Sequence, residues 1–203
     1  MQWEKLSETI QIAIDDTHRF GTDAFLLEHF AAVRGIDTVC DLCAGCGIIG
    51  LLMLRRERPP QSVTAVEIAP DAVELMRQTA EISSLTHFAP LRGDLREIRT
   101  LLPAHSFRLV TCNPPYFPAG SGYLCPEDSR RRARHEQEES CTTGEVCNAA
   151  AWLLQYGGRF CLCQRPERLT DVLLAMRQAG LEPKRLRTVA RTADAAPSLV
   201  LVG

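Results

Sequence analysis

The chain has 203 residues, 45% of them apolar and 24% charged, and a formal net charge of −2. That length buries a sizeable core, most simply as one domain over 1–203, and the near-neutral balance excludes a protein that coats nucleic acid through global charge; any contact with RNA has to come from a local basic patch. No apolar run approaches the roughly 20 residues needed to span a bilayer, and the opening Met1-Gln-Trp-Glu-Lys5 is not a secretory signal, so the expected location is cytoplasmic and away from membranes.

In chain order, Ile10 to Ile14 alternates as a strand, and Thr22 and Asp23 are placed to cap a helix carrying Phe25, Leu26, Leu27, Phe30 and Ala31. Residues 1–34 read as a strand and helix appended to the N-terminal side of an alternating α/β region. From Thr38 the chain alternates: strand Thr38 to Leu42, helix Ile48 to Arg56, strand Ser62 to Glu67, helix Pro70 to Ser83, and a short strand near Phe88 to Leu91. A strand from Phe107 to Cys112 leads to a long polar segment, after which Thr142-x-x-Glu145 is a capping box opening a helix to about Leu154, ended by Gly157-Gly158. Arg159 to Gln164 is strand-like, Glu167 to Ala179 is helical and closed by Gly180, and Lys184 to Ala190 and Ser198 to Val202 are the last strands. This rhythm predicts an α/β fold with a mainly parallel sheet, helices on both faces, and ligands at the carboxyl ends of the strands.

Nine cysteines, an odd number without a secretory signal, read as reduced thiols. Cys40-x-x-Cys43-x-x-Cys46 has a spacing that can hold a metal, but Cys40 should point into the core from a strand and no fourth ligand is found at useful spacing. The expectation is structural cysteines and no metal.

Two segments carry chemistry. Asn113-Pro114-Pro115-Tyr116 follows an apolar strand; two prolines supply no N–H and hold φ near −65°, so the Asn113 amide and the Pro114 carbonyl are presented as fixed acceptors, suited to holding an amino group. Tyr116 adds a flat face on which a base can stack. The second segment, Asp41 to Gly50, follows the first core strand and opens its helix, with Gly45, Gly47 and Gly50 allowing close approach of backbone to a ligand. Taken literally, Gly45-x-Gly47-x-x-Gly50 with Glu67 after the next strand is also a dinucleotide fingerprint, which leaves a nicotinamide enzyme open. Asp41 suits a ligand with an ammonium group better than a pyrophosphate, and Asp94 offers a further carboxylate at the same edge.

At these residues the chain resembles the class I S-adenosylmethionine-dependent methyltransferases with an Asn-Pro-Pro-Tyr motif. Arg19-Phe-Gly-Thr-Asp-Ala24, the Asp41 to Gly50 segment, Asn113 to Phe117 and Ala133-Arg-His-Glu136 are more narrowly similar to the tRNA adenine-N6-methyltransferases that modify adenine 37 of a valine tRNA. The resemblance implies a Rossmann-like, seven-stranded sheet. It also implies that Thr22, Asp23, Asp41, Cys43, Ala44, Gly45, Gly47, Glu67, Ile68, Asp94, Leu95 and Asn113 line S-adenosyl-L-methionine, with Thr22 and Asp23 near its amino-acid end, and that Asn113, Pro114, Pro115 and Tyr116 hold the target. Cys43 stands where the general pattern has its first glycine, which fits only if that position does not require φ > 0.

For the substrate, Tyr116 and Phe117 are expected to meet the base, and Arg130, Arg131, Arg132 and Arg134 form a dense basic cluster in the loop after the motif. That cluster reads equally as a phosphate contact or as a solvated face balanced by Glu136, Glu138 and Glu139. His135 reads first as a structural group. The expected reaction is methylation of an adenine N6 in tRNA by a monomer or weak dimer. A protein glutamine amide presents the same NH2 geometry, and a nucleotide-binding protein without turnover is the alternative outside enzymes.

Overall fold

The two faces of the central sheet are set by strand period. In the computed structural model, which describes residues 1–114 and 141–203, β3 (Thr38–Leu42) sends Val39 to one face and Cys40 and Leu42 to the other, all fully buried. Its neighbours share the same alternation: β4 (Ser62–Glu67), β5 (Phe88–Arg92), β6 (Phe107–Cys112) and β7 (Leu154–Gln164) lie parallel to it, and β8 (Leu186–Val189) and β9 (Leu199–Val202) close one edge in antiparallel pairing. The order is β5-β4-β3-β6-β7-β9-β8 in a seven-stranded sheet.

Helices cover both faces. On one, α1 (Thr22–Ala31), α2 (Ile48–Leu54) and α3 (Pro70–Ile82) bury Leu27, Phe30, Ile49, Leu52, Val73 and Met76 against the sheet. On the other, α4 (Ile98–Leu101), α5 (Thr143–Leu153) and α6 (Leu169–Gln178) bury Ile98, Val146, Ala150, Val172 and Met176. Thr142 and Glu145 form the expected reciprocal capping box. Gly180, at φ +78°, ends α6 with Leu181 N–H donating to the Met176 carbonyl, and the left-handed turn there suits glycine.

The structure departs from the sequence reading in four places. Gln2–Lys5 forms a strand, β1, which pairs antiparallel with β2 (Gln11–Ile14) outside the main sheet. Its four residues are exposed and carry no apolar alternation to reveal it. The hairpin is tied to α3 by the Ala13 N–H on Thr79 Oγ1 at 2.9 Å and the Gln11 N–H on Ser83 Oγ at 3.0 Å. Gly21, and not Thr22, occupies the cap of α1; Thr22 is already helical. Gly157 and Gly158 do not end α5: the helix passes directly into β7, because the Trp152 and Leu153 carbonyls at its end are taken by the His105 and Ser106 amides leading into β6. Lastly, Leu95–Glu97 is a 3-10 turn running into α4, a segment too short to show periodicity.

Gly50 lies within α2, where a Cβ would meet Val63 Cγ1 at 2.6 Å and Phe88 Cε2 at 3.2 Å. This glycine serves close packing of helix on sheet. Gly50→Val is expected to lower unfolding free energy by about 2–3 kcal/mol through overpacking, read as a drop in the urea midpoint; an unchanged midpoint would refute the packing role.

Candidate functional site

The carboxyl ends of β3, β4 and β6 meet at one edge, and the pairing register decides which side chains face each other there. Asp41 on β3 is level with Thr111 on β6. The Thr111 hydroxyl donates to Asp41 Oδ1 at 2.6 Å, and Asp41 is wholly buried. Its second oxygen, Oδ2, is buried with no hydrogen-bond partner among the described residues. Burial pushes the Asp41 carboxyl up to about 7; the Thr111 hydroxyl acts against that and the Glu67 charge adds to it. A buried carboxylate oxygen of this kind favours a cation or donor brought to the edge.

The turn after β3 is left-handed at three positions, Cys43 (φ +55°), Gly45 (φ +55°) and Gly47 (φ +82°). Cys43 therefore adopts the conformation that its replacement of glycine was expected to avoid, at a typical cost of about 1–2 kcal/mol for an L-residue. Its thiol lies 3.7 Å from that of Cys141 and is held protonated, first by its hydrogen bond with Cys112 and also by burial. At Gly45 a Cβ would meet nothing within 4 Å, so the turn is open on that side.

Glu67, at the end of β4, is gripped by backbone: Gly45 N–H donates to Oε2 at 2.8 Å, while the Ile68 and Ala69 amides donate to Oε1 at 2.8 and 3.0 Å. The turn and the carboxylate are thus one unit. Beside them Cys43, Val66, Glu67, Ile68, Gly93, Asp94, Leu95 and Cys141 enclose a cavity of about 30 Å³. Asp94 caps the adjoining 3-10 turn, accepting from the Arg96 amide at 2.9 Å and pairing with the Arg96 guanidinium, which holds its carboxyl below the usual range. Ala44 is buried, and its N–H donates to the Val66 carbonyl at 3.1 Å.

Asn113 comes directly after β6 at the same edge. Its Nδ2 donates to Asp23 Oδ2 at 2.9 Å, joining the first turn of α1 to the motif, and its Oδ1 accepts from the Cys163 thiol on β7. Pro114 behind it is buried. Thr22 is exposed at the start of α1. Pro115, Tyr116, Phe117, Arg130, Arg131, Arg132, Arg134 and His135 lie outside the described residues. Thr111, Cys141 and Cys163 were missed from the sequence: they belong to no motif, and only the β3–β6–β7 register brings Thr111 to Asp41 and Cys163 to Asn113.

A much larger cavity, about 1070 Å³, sits at the opposite, amino-terminal end of β6 and β7, lined in part by Arg34, His105, Tyr156, Lys184 and Arg185. Among the described residues its lining has one carboxylate side chain, Glu182, and lies away from the turn that Glu67 holds at the carboxyl edge.

The family model "Methyltransferase small domain" matches residues 16–123. A tRNA1(Val) (adenine(37)-N6)-methyltransferase from Tolumonas auensis is 30% identical over 188 residues, covering 91% of this chain and 75% of that protein. Its namesake from Erwinia tasmaniensis is 30% identical over 145 residues, covering 71% of this chain and 57% of that protein. Among solved structures, a predicted O-methyltransferase from Agrobacterium tumefaciens superposes with TM-score 0.65 at 22% identity, covering 89% of this chain and 78% of that one, a likeness of fold.

The raised Asp41 value links stability to pH. Between about pH 4 and 7 the folded chain holds a proton on Asp41 that the unfolded chain has released, so this group's contribution is largest below about pH 4 and falls as pH rises through about 7. The full loss is on the order of 4 kcal/mol. Asp41→Asn is therefore expected to be progressively more stable than wild type from pH 4 to 8; urea unfolding at both ends checks this, and a difference that does not change with pH would refute it.

Proposed function

We propose that this chain, which belongs to the methyltransferase small domain family, transfers a methyl group from S-adenosyl-L-methionine to the exocyclic N6 of an adenine in tRNA, with adenine 37 of a valine tRNA as the first candidate. Family membership makes it a methyltransferase and implies that cofactor. The substrate rests on likeness to relatives named for it, of which the chain spans from about half to three quarters. One observation carries the reading: the acceptor pair of Asn113 and Pro114 and the Asp41–Glu67 turn lie at the same edge of the sheet, so a group to be methylated and a cationic methyl donor can be held side by side.

The residues fit the cofactor. Its ammonium group would satisfy the buried Asp41 oxygen, with Thr22 and Asp23 near the same end. The backbone of Cys43, Ala44, Gly45 and Gly47 would run along it, Glu67 would face its ribose, and Ile68, Asp94 and Leu95 would enclose the base. When bound, the cofactor supplies a methyl group made electrophilic by its sulfonium. The chain's own part is positioning. Asn113 Oδ1 and the Pro114 carbonyl accept the two N6 hydrogens, which turns the nitrogen lone pair outward, so the transfer needs alignment more than a strong base. By residue type, Pro115 would restrict the backbone after Pro114, and Tyr116 would offer the unstacked base a face. Phe117 and the cluster Arg130, Arg131, Arg132 and Arg134 would contact the RNA, in a cytoplasmic protein acting as a monomer or weak dimer.

Incubation of labelled cofactor with unmodified tRNA, then digestion to nucleosides, is expected to place label in N6-methyladenosine. Asn113→Ala should reduce turnover by about 10²-fold while S-adenosylhomocysteine binding holds; equal losses would remove Asn113 from its role. Unlabelled tRNA alongside a labelled protein amide would redirect the substrate assignment. Because a cation favours ionised Asp41, S-adenosylhomocysteine affinity should weaken about tenfold per pH unit below about 7 and level off above it, by calorimetry; a flat profile would remove Asp41 from the ammonium contact.

A further inference from the structure

An amide side chain has a donor end and an acceptor end, and a half-turn about its Cβ–Cγ bond exchanges them. At Asn113 that exchange decides everything the side chain can do. With Oδ1 outermost it accepts from an amino group; with Nδ2 there it meets that amino group donor to donor.

The carboxylate beside the Asn113 amide selects one orientation. Asp23 offers a carboxylate, which only accepts, and it sits 2.9 Å from Nδ2. The Cys163 thiol donates to Oδ1 from the other side. Turning the amide over would press its carbonyl oxygen against an anionic oxygen. Both side chains are held in place by the packing of their own elements. Cys163 is fully buried on β7, and Asp23 is carried in the first turn of α1, whose Ala24, Leu27, Phe30 and Ala31 are packed into the core. The carboxylate does more than orient: a charge-assisted hydrogen bond to Nδ2 polarises the amide and makes Oδ1 a stronger acceptor.

We infer that Asp23 is a positioning residue for methyl transfer, fixing and polarising the Asn113 amide so that Oδ1 presents itself to the amino group being methylated. In that orientation Oδ1 meets the Cys163 thiol from the sheet side. The inference rests on the reading of Asn113 as the acceptor of the target amino group. It adds to Asp23 a role separate from contact with the cofactor, and it gives a physical reason why a motif at residues 19–24 and a motif at residues 113–116 belong together: one aligns the other across 90 positions of sequence.

The test uses the full chain with Asp23→Asn, nearly isosteric but able to meet Asn113 with either end of its own amide, and with Asp23→Glu. Three quantities are read: kcat for methyl transfer to unmodified tRNA at saturating cofactor, S-adenosylhomocysteine affinity by calorimetry, and the ¹⁵N side-chain amide signal of Asn113, identified by its loss in Asn113→Asp. Asp23→Asn should lower kcat about 10- to 100-fold, the range for a lost hydrogen bond to a charged group, with any loss of affinity smaller than the loss in kcat, the amide signal moved towards that of a solvent-exposed amide, and partial recovery of kcat in Asp23→Glu. An affinity loss matching the loss in kcat would assign Asp23 to the cofactor alone and overturn the inference, as would an unchanged kcat. If wild type methylates no adenine, the proposed function fails by itself, and the amide signal still decides the orientation: unchanged in Asp23→Asn, it refutes Asp23 as the residue that holds Asn113.

Discussion

Parallel register at the centre of the sheet is the constraint on which the site depends. Because β3, β4 and β6 run in the same direction and end together, Asp41, Glu67 and Asn113 arrive at one edge although they are spread over more than 70 positions of sequence. A shift of one residue between β3 and β6 would turn Thr111 away from Asp41 and leave both carboxylate oxygens buried without a partner, a heavy penalty for a group in the core. The apolar alternation of Val39, Leu109, Cys40 and Val110 onto opposite faces fixes that register from both sides.

A packed core then serves a polar edge. Asp41 is the clearest conflict between the two, since burial holds its carboxyl up to about 7 and one of its oxygens is unsatisfied among the described residues. Cys43 is a second conflict, an L-residue in a left-handed turn. Both lie where β3 passes into the glycine turn, and local strain of this kind persists only where surrounding structure over-determines it. Here the determinants are visible: Glu67 holds the turn by the Gly45 amide, and the Ile68 and Ala69 amides hold Glu67. Asn113 is likewise held from other elements, by Asp23 on α1 and Cys163 on β7.

Much of this was legible in sequence. The strands Thr38–Leu42, Ser62–Glu67 and Phe107–Cys112 are where apolar periodicity puts them, because buried parallel strands leave continuous β-branched and apolar runs. Thr142 and Glu145 announced the start of α5, because a capping box is a local hydrogen-bond exchange that needs no tertiary partner. The family, too, was carried by short motifs, the glycine turn and Asn113 to Tyr116, whose chemistry depends on residue type at fixed spacing.

What sequence did not determine was everything that depends on one element meeting another. Gly157 and Gly158 look like a helix stop, yet they lie inside β7, since the end of α5 is satisfied by amides 47 positions earlier in the chain. Exposed Gln2–Lys5 had no pattern of its own and became a strand only by pairing with β2. Thr111, Cys141 and Cys163 carry no motif and acquire a role solely from the strands and turns beside them. Local chemistry and periodicity therefore determined most of the elements and the short motifs that carry the family, while the pairing of strands and the docking of α1 on the sheet decided which atoms face one another, because hydrogen bonds a few ångströms long between residues 70 to 90 positions apart exist only once the core has packed.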